Sequence, residues 1–317
     1  MLSGAALAYE ILLMRLFSII QWHHFAYMII SLALLGYGAS GAMLALTRRW
    51  MQKHFFAAYI FNAIFFGIGS IVCFRLAQAV PFNALEVLWD SRQPLWLLLI
   101  FALLLIPFFC VANCICLAFT KFSRQLHRVY SFDLVGAGIG ALSIIGLLFL
   151  VSPTTALQVV ASMGLLSAAT AWLEYGAKWQ WPALLMSVAA VVMLSPVAGF
   201  SLQLSQFKGL SQALQVIGAE TVDQRSGPLG WLTTVSSPSV PFRHAPGLSL
   251  NNPAPIPAQL AVFTDGDAPS MITRYEGGLH KLSHLDFQSS ALPYHLLEHP
   301  VVLVLGAGGG ADELQAL

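Results

Sequence analysis

Leu95-Trp-Leu-Leu-Leu-Ile-Phe-Ala-Leu-Leu-Leu-Ile-Pro-Phe-Phe-Cys-Val-Ala-Asn-Cys-Ile-Cys-Leu-Ala-Phe119 runs without a charged side chain. As a helix rising about 1.5 Å per residue, it exceeds the ~30 Å of a bilayer's hydrocarbon core, and it has no polar face to keep it in water. Similar windows cover Leu2 to Gln21, Phe25 to Thr47, Phe55 to Leu76, Tyr130 to Val151, Thr155 to Leu173 and Pro182 to Phe200. The expected fold of residues 1–200 is therefore a multi-pass α-helical membrane bundle of about seven spans.

Composition agrees, since 57% of the residues are hydrophobic and 9% charged, against about 25% charged in soluble domains. The net charge of +1 implies nothing about nucleic acid, and with no basic run interleaved with aromatics no nucleic-acid partner is expected. The lipid bilayer is the expected one. No cleavable leader is expected, because the first apolar run has no basic segment before it and continues past leader length. Cys73, Cys110, Cys114 and Cys116 lie in apolar runs without ligand-competent neighbours, so they read as buried small side chains and no metal is expected.

Arg48, Arg49 and Lys53 follow the second window, and Lys121, Arg124 and Arg128 follow the fourth. Gln21 to His24 and Ser152 to Thr154 carry no Lys or Arg. The positive-inside rule then starts the chain in the cytoplasm of an inner membrane, and Lys178 agrees. Small residues four apart, Gly36 with Ser40, Gly41 with Ala45 and Gly136 with Gly140, predict close helix contacts. Glu10, Arg15 and Asp133 lie within spans, where charge is costly. Either they line a substrate path, or Glu10 pairs with an Arg of another helix and Asp133 caps its helix beside Arg128.

Beyond Phe200 the chain turns polar and proline-rich. Residues 201–299 are expected to hold a linker and a small β region. Gln206 to Val216 predicts a short helix, Trp231 to Ser236 a strand, and Leu260 to Thr264 and Met271 to Tyr275 two strands flanking a turn at Asp265-Gly-Asp267. Asn252 to Pro257 is a loop, and Leu292 to Leu297 a helix broken at Pro300. Val301 to Leu305 then reads as a buried parallel strand running into Gly306-Ala-Gly-Gly-Gly310-Ala-Asp312. Glycines at such a turn let the backbone approach a ligand, and the following helix offers unpaired N–H groups. The spacing fits either a relaxed dinucleotide fingerprint (Gly306, Gly308, Ala311) or the G-x-G-x-G loop of S-adenosylmethionine enzymes. Residues 300–317 are thus expected to begin a Rossmann-like α/β domain that is completed elsewhere.

Several motifs in order resemble the membrane-anchored relatives of spermidine synthase, which join a polytopic N-terminal domain to a Rossmann-type domain. They are Ser3-Gly-Ala-Ala-Leu-Ala-Tyr-Glu-Ile-Leu-Leu-Met-Arg15-Leu, Arg128-Val-Tyr-Ser-Phe-Asp133-Leu-Val-Gly-Ala-Gly, Gly227-Pro-Leu-Gly230-Trp-Leu-Thr-Thr-Val, Tyr294-His295 and the glycine loop. The resemblance implies S-adenosylmethionine or its decarboxylated form as cofactor, held by Gly306, Gly308, Gly309, Gly310 and Asp312. It implies an amine substrate bound with the help of Tyr294 and His295, and a catalytic aspartate beyond Leu317. Where the family carries an acidic residue inside the loop, this chain has Asp312 just after it.

Two functions follow as expectations. The first is transfer of an aminopropyl or methyl group to an amine, with residues 1–317 alone inactive. The second is a transporter or sensor bundle with a regulatory nucleoside-binding module, supported by Glu10, Arg15 and Asp133. Seven crossings from a cytoplasmic start would leave Ser201 onward outside the cytoplasm, yet S-adenosylmethionine is a cytoplasmic metabolite, so the C-terminal region is assigned to the cytoplasmic side.

Overall fold

The computed structural model describes residues 1–21, 24–175, 180–195 and 199–317, and the chain divides into two compact units. Residues 1–203 with 226–228 form the first, and residues 204–225 with 229–317 the second.

In the first unit the apolar windows fold as α1 (Leu2–Ile20), α2 (His24–Lys53), α3 (Phe55–Ala79), α4 (Gln93–Lys121), α5 (Leu126–Leu147), α6 (Pro153–Tyr175) and α7 (Trp181–Met193). Among the described residues, six helices, α1 to α6, are long and apolar enough to cross a membrane. The expected seventh span is not: α7 has 13 residues and reaches about 20 Å. Its end closes in tight turns, with the Leu194 and Ser195 amides bonded to the Val191 and Val192 carbonyls. Pro196 follows, and a residue before proline is pushed out of helical geometry. The remainder of that window includes residues 196–198, outside the described residues.

α1 is the core helix and touches α2, α3, α4, α5 and α6. Tyr9, Leu12, Leu13 and Leu16 are all fully buried. The Tyr9 ring packs edge-on to Phe66 of α3 at 5.8 Å and against Phe108 of α4 at 5.0 Å. The Gly136/Gly140 pair makes the predicted close contact, because a Cβ on Gly140 would overlap the Gly4 backbone of α1. Gly36 meets Phe108 and Ser40 hydrogen-bonds Asn113, so that pair faces α4 as predicted. Gly41 and Ala45 do not form the expected contact: both are exposed and a Cβ on Gly41 would meet nothing. Small residues permit a close approach without requiring one.

One buried polar chain joins α2, α4 and α3. The Ser40 hydroxyl donates to Asn113 Oδ1 at 2.6 Å, Asn113 Nδ2 to Asn62 Oδ1 at 3.1 Å, and Asn62 Nδ2 to the Ala58 carbonyl at 2.8 Å. Cys73, Cys110 and Cys114 are buried and Cys116 half-buried.

The second unit is a four-stranded antiparallel sheet in the order β1 (Glu220–Ser226), β2 (Trp231–Ser236), β3 (Gln259–Thr264), β4 (Asp267–Thr273). Asp265 and Gly266 take positive φ at the β3–β4 turn, the geometry whose twist matches the strands it joins. The Asp265 carboxylate accepts from the Trp231 amide at 2.8 Å, tying β2 to that turn. Strand alternation sends Val235, Ala261 and Phe263 inward onto Leu210 and Ala213 of the short helix α8 (Gly209–Ala213). α9 (Leu292–Leu296) and α10 (Ala311–Ala316) complete the unit.

The parallel strand expected at Val301 to Leu305 does not form. Residues 301–304 have no regular structure, and Val301, Leu303 and Leu305 are exposed. A parallel strand needs a neighbour running beside it, and the sheet described holds only β1 to β4, all antiparallel, so a Rossmann-like sheet is not shown.

Gly140→Leu should destabilise the bundle by about 3 kcal/mol, the upper range for overpacking, because the opposing atoms are backbone and cannot move aside. Gly138, two residues earlier with open space around it, provides the control. The temperature at which the protein aggregates in detergent, followed by size exclusion, should fall sharply for Gly140→Leu and little for Gly138→Leu.

Candidate functional site

The glycine loop forms one wall of a cleft of about 350 Å³ in the second unit, within the ~300–1,000 Å³ range of small-molecule sites. Gly306, Gly308 and Gly310 all hold positive φ, a conformation that costs glycine little and other residues more. The loop is anchored to β4, since the Gly309 amide donates to the Ser270 hydroxyl at 2.6 Å and a Cβ on Gly309 would collide with the Met271 carbonyl. α10 follows, and its Gln315 amide donates to the Leu285 carbonyl at 2.7 Å. Asp312, in the first turn of α10, also lines the cleft.

The opposite wall comes from residues the sequence did not single out. Gln259, at the start of β3, points inward and is bonded on both sides of its amide. It accepts from the His244 amide at 2.7 Å and donates to the His244 carbonyl at 3.1 Å and to Thr273 Oγ1 at 3.2 Å. His284 sits in the 3₁₀ segment Leu279–Phe287, is 1% exposed, and its Nδ1 has no hydrogen-bond partner. Burial holds its pKa below the ordinary imidazole value, so the ring is neutral near pH 7. The cleft thus combines loop backbone, hydroxyls, one carboxylate and two imidazoles, of which that of His284 is neutral. That set suits binding of a hydroxyl-rich neutral or cationic molecule; no nucleophile paired with a base is among its lining residues.

Of the residues expected at the cofactor site, Gly306, Gly308, Gly309 and Asp312 share this cleft, while Gly310 lies at the start of α10 and is not on the wall. Tyr294 and His295 lie on α9 and do not line the cleft. In the first unit, Asp133 lies two turns inside α5, so it does not cap that helix; it lines a 170 Å³ cavity with Tyr59 and Cys114. Glu10 and Arg15 are half-buried on α1 and are not on that cavity's wall. The Arg15 guanidinium donates to Ser18 Oγ at 3.3 Å. The three charges therefore do not share that cavity's wall.

Comparison with known proteins finds no matching family model, no matching curated protein and no matching solved structure.

His284 gives the second unit a pH dependence with a definite sign. Its native pKa is lowered by burial, so the unfolded chain binds a proton first. Stability is fully present above about pH 6.5, the unfolded value, and is lost as pH falls from there toward the native value. Heat-pulse proteolysis of the detergent-solubilised chain should show β3–β4 cut at a temperature lower by several degrees at pH 5.5 than at pH 7.5, and His284→Phe should remove most of the difference.

Proposed function

We propose that the chain is a multi-pass membrane protein whose second unit holds an S-adenosylmethionine-type nucleoside, as in the membrane-anchored relatives of spermidine synthase that its motifs resemble. The observation carrying this is the gathering of Gly306, Gly308, Gly309 and Asp312 on one wall of a polar cleft. The cofactor, S-adenosylmethionine or its decarboxylated form, supplies a sulfonium whose adjacent carbon is open to attack by an amine. The loop backbone would contact the ligand closely at Gly306, where a Cβ would meet nothing of the protein, while Gly308 and Gly309 seat the loop on Ser270 and Met271 of β4, and Asp312 would accept from the ligand's hydroxyl or ammonium groups. The cleft's task is then positioning. An amine-binding role for Tyr294 and His295, and with it transfer of an aminopropyl or methyl group, is supported by the motif resemblance alone.

Sidedness is consistent with this proposal on a count of six crossings. The basic residues after α2 and α4 favour a cytoplasmic start, and an even number of crossings returns the chain to the cytoplasm, where the cofactor is made. α7, too short to span, is the element that changes the count.

Two measurements test these statements. Calorimetry with S-adenosylmethionine and its decarboxylated form, on the complete protein purified in detergent, should show saturable binding that Gly308→Val abolishes. Gly308 has φ +55°, and an added Cβ would lie 2.6 Å from Ser270 Oγ. Affinity unchanged by the substitution removes the loop from the site. A phosphatase active only outside the cytoplasm, fused after Gly209, should stay inactive; activity would reverse the assigned side.

A further inference from the structure

At one end of the bundle three helices stop at the same level: α3 begins at Phe55, α4 ends at Lys121 and α6 ends at Tyr175. Between them lies a cavity of about 370 Å³ walled by Phe55, Phe56, Tyr59 and Phe122, with Ser167 deeper in and the exposed Glu174 at the rim. Phe122 meets Phe55 edge to face at 6.2 Å and 89°, and Tyr59 lies tilted 33° to Phe55 at 5.9 Å. Ring faces carry negative quadrupole density and attract cations. The Lys121 ammonium already stands 5.5 Å from the centroid of Phe55. Glu174 makes no ion pair or hydrogen bond among the described residues. An unpaired carboxylate beside aromatic walls is a recognition set for an ammonium group, with a lysine next to it.

We propose that this box holds the ammonium of a zwitterionic phospholipid headgroup, with the lipid phosphate beside Lys121. The inference rests on the membrane-spanning reading of α3, α4 and α6. The ends of spanning helices lie at headgroup depth, where amphipathic aromatic rings are placed. Charge favours a lipid over a free amine: Arg48, Arg49, Lys53, Lys121 and Arg124 all belong to this end of the bundle, and their summed field repels a free cation. A zwitterion satisfies both signs at once, its phosphate meeting the basic residues and its ammonium meeting Glu174 and the rings.

Native mass spectrometry of the full chain, released from nanodiscs of equal parts phosphatidylethanolamine and phosphatidylglycerol with the same acyl chains, tests this. Retention in the membrane after alkaline extraction is established beforehand, so failure to insert is seen separately. The wild type should retain phosphatidylethanolamine over phosphatidylglycerol. Glu174→Gln, at an exposed position that leaves packing intact, should lower that ratio roughly threefold to tenfold, and Phe56→Leu should lower it in the same direction. An identical ratio in wild type and Glu174→Gln overturns the proposal. Displacement of the retained lipid by millimolar choline also overturns it, since the box would then be a site for free amines.

Discussion

The burial of α1 constrains everything around it. A helix in contact with five others, with no exposed residue between Leu2 and Ile20, sets how closely its neighbours can approach by its own side chains. In a bilayer the apolar surface of a helix gains little by leaving lipid for protein, and association depends on close packing and interhelical hydrogen bonds. Both are present. Gly4 and Gly140 bring the backbones of α1 and α5 together, Gly67 and Gly164 do the same for α3 and α6, and Gly36 lets α2 settle on Phe108 of α4. Larger apolar side chains such as Phe61, Leu98, Leu142 and Leu184 are turned outward, the reverse of a water-soluble core and the arrangement that lipid solvates without penalty.

Much of the bundle was legible because span length is a sum over many residues, and the helices at the first six windows begin and end within a few residues of the apolar limits. The seventh window failed for a local reason: composition over Pro182 to Phe200 satisfies the hydrocarbon core, but backbone geometry before Pro196 ends the helix first. Asp133 failed in another way. It stands near the start of its apolar window, yet the helix begins at Leu126, outside that window, where polar residues extend it without adding hydropathy.

In the second unit, turn chemistry was the reliable signal. Asp265-Gly266 fixed the β3–β4 hairpin, and Trp231 to Ser236 became β2 at its predicted limits. β1 was missed because Glu-Thr-Val-Asp-Gln-Arg-Ser shows no apolar alternation, and all but its last residue are exposed. The run Val301 to Leu305 misled for the converse reason, since a continuous apolar run implies a buried strand only where neighbours cover both its faces. The glycines were found by what they avoid, a Cβ. Gln259 could have been found by extending the period-2 pattern of Ala261 and Phe263 one step back. His284 carried no signal, lying in a 3₁₀ segment without periodicity.

Buried polar groups differ in how fully they are paired. Ser40, Asn62 and Asn113 hydrogen-bond in a closed series, and Gln259 uses both sides of its amide, so their burial costs little. His284 Nδ1 is left unpaired on the cleft wall, at a cost of about 1–3 kcal/mol for an unmet buried polar atom. A molecule that fills the cleft binds only the folded unit, and its binding free energy adds to the stability of that wall by mass action. Occupancy of the cleft and order of the segment Leu279–Phe287 are therefore linked quantities.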